Sequence, residues 1–206
     1  MDKKQLEKAV RQLRRHDPRL RTVIDHIGPL KLPPGAPNSF ATFAQIIIGQ
    51  QLSGKAAATI MGRVKALAKG GRLTADRLGR FSDARLRSAG VSGPKIRALR
   101  SLCEHVKSKR LKIRRLPDMD DDAITETVTR VKGLGPWSVQ MYLMFVLRRP
   151  DVFPGGDLGI RNAMAKLYGI DRDSDRVELI AEKWRPYRTV ACWYLWRSLS
   201  NPPPLD

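Results

Sequence analysis

The chain has 206 residues, of which 42% are apolar, so it can bury a core in one compact domain or in two small lobes. Lysine and arginine total 39 against 20 aspartate and glutamate, and the formal charge of +19 favours a polyanionic partner, nucleic acid ahead of an anionic membrane surface. The sequence contains no run of 18 apolar residues and its N-terminus is too polar for a signal peptide, so we expect neither a membrane span nor export.

The two cysteines indicate a reducing environment. Cys103 and Cys192 are far apart in sequence and lack the spacing of metal ligands. Because disulfides are rare in the cytoplasm, free thiols in a cytoplasmic protein are the expectation.

The N-terminal segment is predicted to form two short helices and a connector. Residues 2–16 place leucine and valine side chains on one face of a basic helix, and residues 18–27 fit a second helix. The proline-rich stretch 29–37 cannot be helical, so we interpret it as a connector between lobes.

Two further predicted helices flank an unusual break. Ser39 is a candidate cap for a helix over 40–49 with a broad apolar face, and 53–68 reads as an alanine-rich basic helix that ends at the glycine pair 70–71. The break at 49–52, Gly-Gln-Gln-Leu, carries two adjacent amides. On pattern alone, it is an ordinary loop between helices.

Four more helices are predicted before residue 131. They cover 74–78, 82–89, 95–109 and 120–130, with Ser82 and Asp120 as candidate caps. The glycine-rich turn at 89–96 leaves two interpretations of Lys95 open, contact with phosphate or packing of the turn. The acidic run 118–122 complements a helix dipole, and because consecutive residues do not converge on one ion, we predict no metal there.

The segment 131–161 organises the chain. Its first part, Gly133-Leu134-Gly135, is predicted to be a tight turn between helices at 124–131 and 137–147, where glycine permits positive φ and close backbone approach. Backbone N–H groups at the start of the second helix would point outward, where a phosphate oxygen can accept from them.

A solitary acid follows this turn. Asp157 comes directly after Pro-Gly-Gly and before a predicted helix over 158–167. On the residue pattern alone it is a helix N-cap, and the same position favours the ionised carboxylate that catalysis would need. Predicted helices over 174–184 and 186–199 complete the chain, the last one rich in tryptophan and tyrosine.

Three segments together resemble the helix-hairpin-helix superfamily of DNA glycosylases, and most closely the 3-methyladenine DNA glycosylase II family. They are 48–53 (Ile-Gly-Gln-Gln-Leu-Ser), 133–138 (Gly-Leu-Gly-Pro-Trp-Ser) and 153–159 (Phe-Pro-Gly-Gly-Asp-Leu-Gly). The resemblance runs from about residue 40 to residue 196. It implies an all-α, two-lobed fold with the active site in the cleft between the lobes.

The resemblance also implies how the lobes divide the chain. Helices in 1–38 are expected to pack with a C-terminal lobe at 150–206, and 39–149 to form a middle lobe that ends in the hairpin. The best-known bacterial members carry an extra N-terminal domain, so we interpret this chain as a compact form. Relatives with an iron–sulfur cluster carry four clustered cysteines, which this chain lacks, so no such cluster is expected.

The implied activity is that of a monofunctional DNA glycosylase, which hydrolyses the N-glycosidic bond of alkylated purines of the 3-methyladenine type and leaves an abasic site. Asp157 is the implied catalytic residue. Bifunctional relatives carry a nucleophilic lysine two residues after the second hairpin glycine, where this chain has Trp137. Because indole is no nucleophile, we expect no strand nicking.

The resemblance implies a base pocket and a DNA-binding surface. The pocket residues would be Trp137, Met141, Leu158 and Trp196. Met141 and Leu158 stand where the best-known members have tyrosines, which weakens stacking against a cationic base. The DNA-binding residues would be Gln51, Leu52, Lys55, Gly133, Gly135 and Trp137, with Gln51 or its neighbour Leu52 as the wedge that replaces the flipped base.

The remaining expectations concern ligands and partners. No cofactor is required, although the hairpin of the family commonly holds Na⁺ or K⁺ on backbone carbonyls, here those of Thr129, Val131 and Leu134. The expected partner is double-stranded DNA with damaged bases, bound by a nucleoid-associated monomer with no membrane partner. Two alternatives stay open: a glycosylase of this fold for other damaged or mismatched bases, and a non-catalytic helix-hairpin-helix DNA-binding module.

Overall fold

A computed structural model of the protein describes residues 1–30, 35–68 and 72–204. These ranges contain helices and no strand, as the all-α prediction requires. The α-helices are α1 (Lys3–His16), α2 (Pro18–Ile27), α3 (Phe40–Gly49), α4 (Gly54–Leu67), α5 (Ala75–Gly79), α6 (Asp83–Ser88), α7 (Gly93–Lys107), α8 (Asp121–Thr129), α9 (Pro136–Phe145), α10 (Leu158–Tyr168), α11 (Arg176–Glu182) and α12 (Arg188–Ser200).

Side-chain caps set where most of these helices begin. The predicted caps Ser39, Ser82 and Asp120 are confirmed, since each accepts a hydrogen bond from a backbone N–H of the first turn of its helix. At the start of α1, Asp2 and Gln5 form a reciprocal capping box. Short polar residues at these positions therefore explain why the helix starts were readable in the sequence.

The chain divides into two compact units. The terminal unit comprises Met1–Gly35 and Arg148–Asp206, and the middle unit comprises Ala36–Leu147. The corresponding sequence boundaries were placed at 38/39 and 149/150.

The terminal unit is built from α1, α2 and α10 to α12. Its core holds Leu13, Leu20, Trp184 and Tyr194, all fully buried. At the junction of α1 and α2, the buried carboxylate of Asp17 caps α2 and accepts further hydrogen bonds from α10 and from the segment after α11. One polar group thus links three parts of this unit.

The middle unit is built from α3 to α9 around an aliphatic and aromatic core. The rings of Phe43 and Tyr142 stack with their centroids 4.7 Å apart, which joins α3 to α9. Helix α9 is apolar on nearly every face, and six consecutive or nearly consecutive side chains of it are buried: Ser138, Val139, Met141, Tyr142, Leu143 and Met144. Helix α9 is therefore central to the core of the middle unit.

A few predicted boundaries were wrong or fall outside the described residues. The helix expected over 95–109 begins at Gly93, because Pro94 occupies a first-turn position where its missing N–H costs nothing. A 3-10 helix over Ile113–Asp118 was not predicted, since its internal Pro117 argues against helix. Part of the proline-rich connector (31–34) and the glycine pair 70–71 lie outside the described residues.

None of the described helices is both long enough and apolar enough to cross a membrane.

Candidate active site

The carboxylate of Asp157 stands at the start of α10, in the terminal unit. The chain reaches it through a turn in which the Asp157 N–H donates to the carbonyl of Pro154 at 2.8 Å. Its Oδ1 accepts the backbone N–H of Ile160 and the indole N–H of Trp196, both at 2.9 Å. These two bonds fix the orientation of the carboxylate, and the residue remains partly exposed.

Gly159 makes room for the pairing of Asp157 with Trp196. A Cβ at Gly159 would lie 3.0 Å from Asp157 Oδ1 and 3.3 Å from both Cδ1 and Nε1 of the indole. These approaches are tighter than ordinary van der Waals contacts. A glycine two residues after the aspartate therefore lets α12 bring its indole onto the first turn of α10.

Arg161 secures the turn that precedes the carboxylate. Its guanidinium donates to the carbonyls of Gly155 and Arg172 and forms an ion pair of 2.8 Å with Glu178. A Cβ at Gly155 would lie 2.8 Å from the carboxylate of Glu178, so the turn packs closely against this pair. Arg161 was not predicted from the sequence, although a basic residue one helical turn after the aspartate could have indicated this role.

A buried thiol lies close to this carboxylate. Cys192 is fully buried on α12, one helical turn before Trp196. Burial raises the pKa of the Cys192 thiol well above its usual range, and the negative charge of Asp157 raises it further. The group next to the candidate catalytic acid is therefore a neutral thiol near pH 7 and no competing nucleophile.

The predicted hairpin turn lies between α8 and α9 in the middle unit. Gly133 has φ of +86°, and a Cβ there would lie 2.5 Å from the Cβ of Ala98 on α7. Beside it, the Lys132 N–H donates to the buried hydroxyl of Ser101 at 3.0 Å. Only glycine fits this position, because both the backbone conformation and the contact with α7 exclude a side chain.

The second glycine of the turn has a different role. A Cβ at Gly135 would meet nothing within 4 Å. Among the described residues, the N–H groups of Gly133 and Gly135 have no protein acceptor, and Gly135 is the N-cap of α9 without a side-chain cap. Exposed N–H groups at a helix N-terminus are suited to binding an anion such as a phosphate.

The break between α3 and α4 is tied to this hairpin. The side-chain amide of Gln50 donates to the carbonyl of Gly133 at 2.7 Å and to the hydroxyl of Ser138 at 3.0 Å. The ammonium of Lys95 donates to the carbonyls of Ile48 and Gln50 at 2.7 and 2.8 Å. Burial lowers the pKa of Lys95. Of the two interpretations left open for Lys95, the structure therefore supports packing.

The two neighbouring amides of the break thus differ. Gln50, which was not predicted as a site residue, turns inward and joins the break to the hairpin. Gln51 is exposed, with a φ of +57° that costs a non-glycine residue on the order of 1 kcal/mol. Leu52 is 39% exposed, and Lys55 is exposed in the first turn of α4. A wedge at Gln51 or Leu52 stays a prediction, as does DNA contact by Lys55.

The predicted base-pocket residues fall in both units. In the middle unit, Trp137 is partly exposed on the first turn of α9 and Met141 lies one turn further on the same face, 9% exposed. In the terminal unit, Leu158 is 60% exposed directly after Asp157, and Trp196 contacts that aspartate. The pocket role of these four residues stays a prediction. The structure shows only that Trp196 contacts Asp157.

The carbonyls predicted to hold Na⁺ or K⁺ lie where α8 ends and the turn follows. The Val131 carbonyl accepts the Leu134 N–H at 3.0 Å. A carbonyl oxygen has two lone pairs, so this bond leaves one for a cation, and oxygen ligands suit such an ion. The turn is therefore compatible with the cation, which stays a prediction for Thr129, Val131 and Leu134. No cluster of three or more His, Cys, Asp or Glu side chains suited to a metal occurs in the described ranges.

Comparison with known families identifies this combination of hairpin and aspartate. Residues 44–187 match the HhH-GPD superfamily base excision DNA repair proteins. The chain belongs to this superfamily. The match includes the hairpin, the break between α3 and α4, and Asp157. It confirms the resemblance inferred from the three sequence segments.

Individual members of the HhH-GPD superfamily are similar over most of the chain. DNA-3-methyladenine glycosylase 1 of Schizosaccharomyces pombe is 32% identical over 156 residues, 74% of this chain and 68% of that protein. The crystal structure of a DNA-3-methyladenine glycosidase from Bacillus halodurans has 37% identity and a TM-score of 0.79, covering 95% of this chain and 92% of that one. The 3-methyladenine DNA glycosylase of S. pombe in complex with abasic DNA has 27% identity and a TM-score of 0.88, covering 97% and 100%.

Proposed function

We propose that this HhH-GPD protein is a monofunctional DNA glycosylase that removes alkylated purines of the 3-methyladenine type and leaves an abasic site. The single observation that carries the proposal is the carboxylate of Asp157, which is partly exposed and oriented by the N–H groups of Ile160 and Trp196. The similarity to DNA-3-methyladenine glycosylases supports the substrate class.

The chemistry needs one negative charge beside the sugar. As the N-glycosidic bond breaks, its electrons leave with the base and positive charge develops on the sugar, as in other glycoside hydrolyses. The ionised carboxylate of Asp157 stabilises that charge, and it accepts a proton from the water whose oxygen bonds to the anomeric carbon. A methylated purine already carries a positive charge, so it departs as a neutral molecule without a general acid.

The residue after the hairpin supports hydrolysis without strand cleavage. Trp137 occupies the position at which bifunctional relatives carry a lysine, so the chain has no amine there to form a Schiff base with the sugar. The partly exposed indole instead offers an aromatic face to a flipped base. Stacking of a cationic purine on such a face contributes on the order of 1–2 kcal/mol once water is excluded.

Double-stranded DNA is the proposed partner, bound by a monomer in the cytoplasm next to the chromosome. The exposed N–H groups of Gly133 and Gly135 bind a phosphate, and Gln51, Leu52 and Lys55 contact the strand around the flipped nucleotide. Because phosphate contacts release counterions, the affinity for DNA falls steeply with rising salt. No cofactor takes part, and a cation in the hairpin turn would have only a structural effect.

The test is a substrate panel with separate readouts for base and strand. Duplexes that contain 3-methyladenine, 7-methylguanine, uracil, hypoxanthine or a mismatch are incubated with the protein, and free base and strand breaks are quantified separately. We expect release of the methylated purines, with strand breaks appearing only after alkaline treatment. Trapping with borohydride should yield no covalent complex.

Three outcomes of this panel would contradict the proposal. Preferential release of deaminated or mismatched bases would assign the same fold to another lesion class. Tight binding of duplex DNA with no base released from any substrate would leave only a DNA-binding module. Breaks without alkali would overturn the monofunctional assignment.

A further inference from the structure

A concave surface occurs in the middle unit, within Ala36–Leu147. It is a groove of about 1000 Å³ between the start of α3, the ends of α4 and α7, and the segments around residues 72–74 and 111–114. Its floor is apolar, with Phe40, Leu73, Leu111 and Ile113 among the lining side chains. The amide of Asn38 holds this wall in place, since it donates to the carbonyl of Ile113 at 2.9 Å.

The rim of the groove is basic, and its charges are unpaired. Five exposed cations line it: Lys65, Arg72, Lys109, Lys112 and Arg114. None of them forms an ion pair within the described ranges, and no aspartate or glutamate is among the described lining residues. Elsewhere in the same unit, Arg100, Arg110 and Arg130 each pair with a carboxylate. The rim therefore concentrates positive charge that no carboxylate in the described part of this unit pairs with.

Helices α3 and α7 each run from the groove towards the hairpin. Helix α3 begins in the groove at Phe40 and ends beside Gln50, which bonds to the hairpin. Helix α7 runs from Lys95, which holds that same break, to the groove at Val106, about 16 Å at 1.5 Å per residue. A molecule bound in the groove would thus leave the hairpin N–H groups accessible.

We propose that the groove binds an acidic, amphipathic peptide segment of a protein partner. An amphipathic helix places aliphatic side chains on one face and can lay that face into an apolar groove. Carboxylates that flank this face then meet the five rim cations, which speeds association and sets the orientation of the helix. The apolar floor thus matches the aliphatic face of such a helix, and the basic rim matches its carboxylates.

Nucleic acid fits the same groove less well. Non-specific single-strand binding relies on exposed aromatic faces on which bases stack. Among the described lining residues only Phe40 is aromatic, so the groove offers at most one ring on which a base could stack. Duplex DNA would pair with the rim cations but leave the apolar floor unfilled. Charge alone does not require that floor, so we commit to the peptide.

The test starts from a displayed library of random 16-residue peptides, selected on the full-length protein in the presence of excess undamaged duplex DNA. Enriched peptides are synthesised with a fluorescein label, and their affinity is measured by fluorescence anisotropy. We expect enrichment of acidic residues together with leucine, isoleucine or phenylalanine at helical spacing. The measured affinity should weaken as salt is raised.

Charge-reversal variants locate the binding site. Lys112→Glu combined with Arg114→Glu should weaken binding of the enriched peptides at least 10-fold, and Lys65→Glu on a separate element should act in the same direction. The matched control, Arg80→Glu with Arg87→Glu, changes two exposed cations of the same unit outside the groove and should retain peptide affinity. Thermal melting of each variant checks that it is folded.

Three results would overturn the proposal. The enriched peptides could lack acidic residues, or their binding could survive charge reversal at Lys112 and Arg114. The same reversal could also lower the affinity for duplex DNA more than the control does, which would make the groove a DNA-binding surface. Base release by the variants is measured in parallel, so a failure here is distinguishable from a failure of the proposed glycosylase activity.

Discussion

Two aspartates of the terminal unit make the same local contacts and differ in what surrounds them. Asp17 is the N-cap of α2, and it accepts the Leu20 N–H at 2.9 Å and the indole N–H of Trp184 at 2.8 Å. Asp157 is the N-cap of α10, and it accepts the Ile160 N–H and the indole N–H of Trp196, both at 2.9 Å. Each aspartate thus couples the start of a helix to a tryptophan far away in sequence.

The two aspartates differ in burial. Asp17 is 5% exposed, and its Oδ2 accepts both the Trp184 indole and the Tyr168 hydroxyl, the latter at 2.6 Å. Asp157 is partly exposed, and its Oδ1 accepts both the Ile160 N–H and the Trp196 indole N–H. An aspartate that caps a helix and accepts an indole N–H can therefore have a purely structural role. Only a carboxylate that solvent reaches is available for chemistry.

The largest effect is expected from Asp157→Asn. Asparagine caps a helix about as well as aspartate, so the fold should persist while the negative charge is lost. Base release from methylated duplex DNA should fall roughly 10²–10⁴-fold, the scale of general-base and electrostatic contributions. Single-turnover base release and thermal melting together check both halves of this prediction.

Binding supplies the control for that variant. Affinity for an undamaged duplex should stay within about threefold of the unmodified protein, because the hairpin that is proposed to hold phosphate lies in the other unit. If Asp157→Asn released base at the unmodified rate, Asp157 would have only the capping role of Asp17, and its exposure would have no catalytic meaning.

Asp17→Asn should lower the stability of the fold and leave base release unchanged. Asparagine has only one oxygen, so either the Leu20 N–H or the Trp184 indole N–H would face an amide donor inside the core. Leaving a buried donor unsatisfied beside a disrupted network costs roughly 2–4 kcal/mol. Chemical denaturation measures this loss, and base release per folded molecule should be unchanged. Unaltered stability would show that the buried network contributes little.

Gly159→Ala tests how closely the catalytic pair must pack. The new methyl group would press on Asp157 Oδ1 at 3.0 Å and on the Trp196 indole at 3.3 Å, so one of these side chains must shift. We expect base release to fall roughly 10-fold, about 1.4 kcal/mol, with little change in melting temperature. Gly156→Ala, whose Cβ meets nothing within 4 Å, alters the same turn and should lose less activity. Equal losses in both variants would argue against crowding as the cause.

The comparison also explains what the sequence could predict. Asp157 was identified because it follows Pro-Gly-Gly, precedes a helix and matches the third segment of the family resemblance. Its partner Trp196 was assigned to the pocket from the same resemblance, and the structure adds the hydrogen bond between them. Helix starts were predictable because capping residues act on their own first turn, which is a local interaction.

Contacts between residues distant in sequence could not be predicted from local pattern. Asp17 was not singled out from the sequence, because nothing near it in sequence indicates that Tyr168 and Trp184 donate to it. For the same reason Gln50 and Gln51 were indistinguishable, although only Gln50 bonds to the hairpin more than 80 residues away. A local pattern identifies a polar group and gives no information on which partner the fold brings to it.

The smallest effect is expected from Tyr168→Phe, and its sign depends on pH. Burial, and then the charge of Asp17, raises the pKa of the Tyr168 hydroxyl well above its usual value of 10.0. Because the folded state favours the protonated phenol, this contribution to stability is complete below pH 10 and is lost as pH rises above 10. The phenylalanine variant should lose about 1 kcal/mol at pH 7, since Asp17 keeps the Trp184 bond, and its stability should decline less steeply above pH 10. Urea unfolding at pH 7, 9 and 10.5 measures both quantities. If the free energy of unfolding of both proteins declined equally above pH 10, the hydrogen bond from Tyr168 to Asp17 would not stabilise the fold. The buried Asp17 would then depend on the Trp184 indole alone.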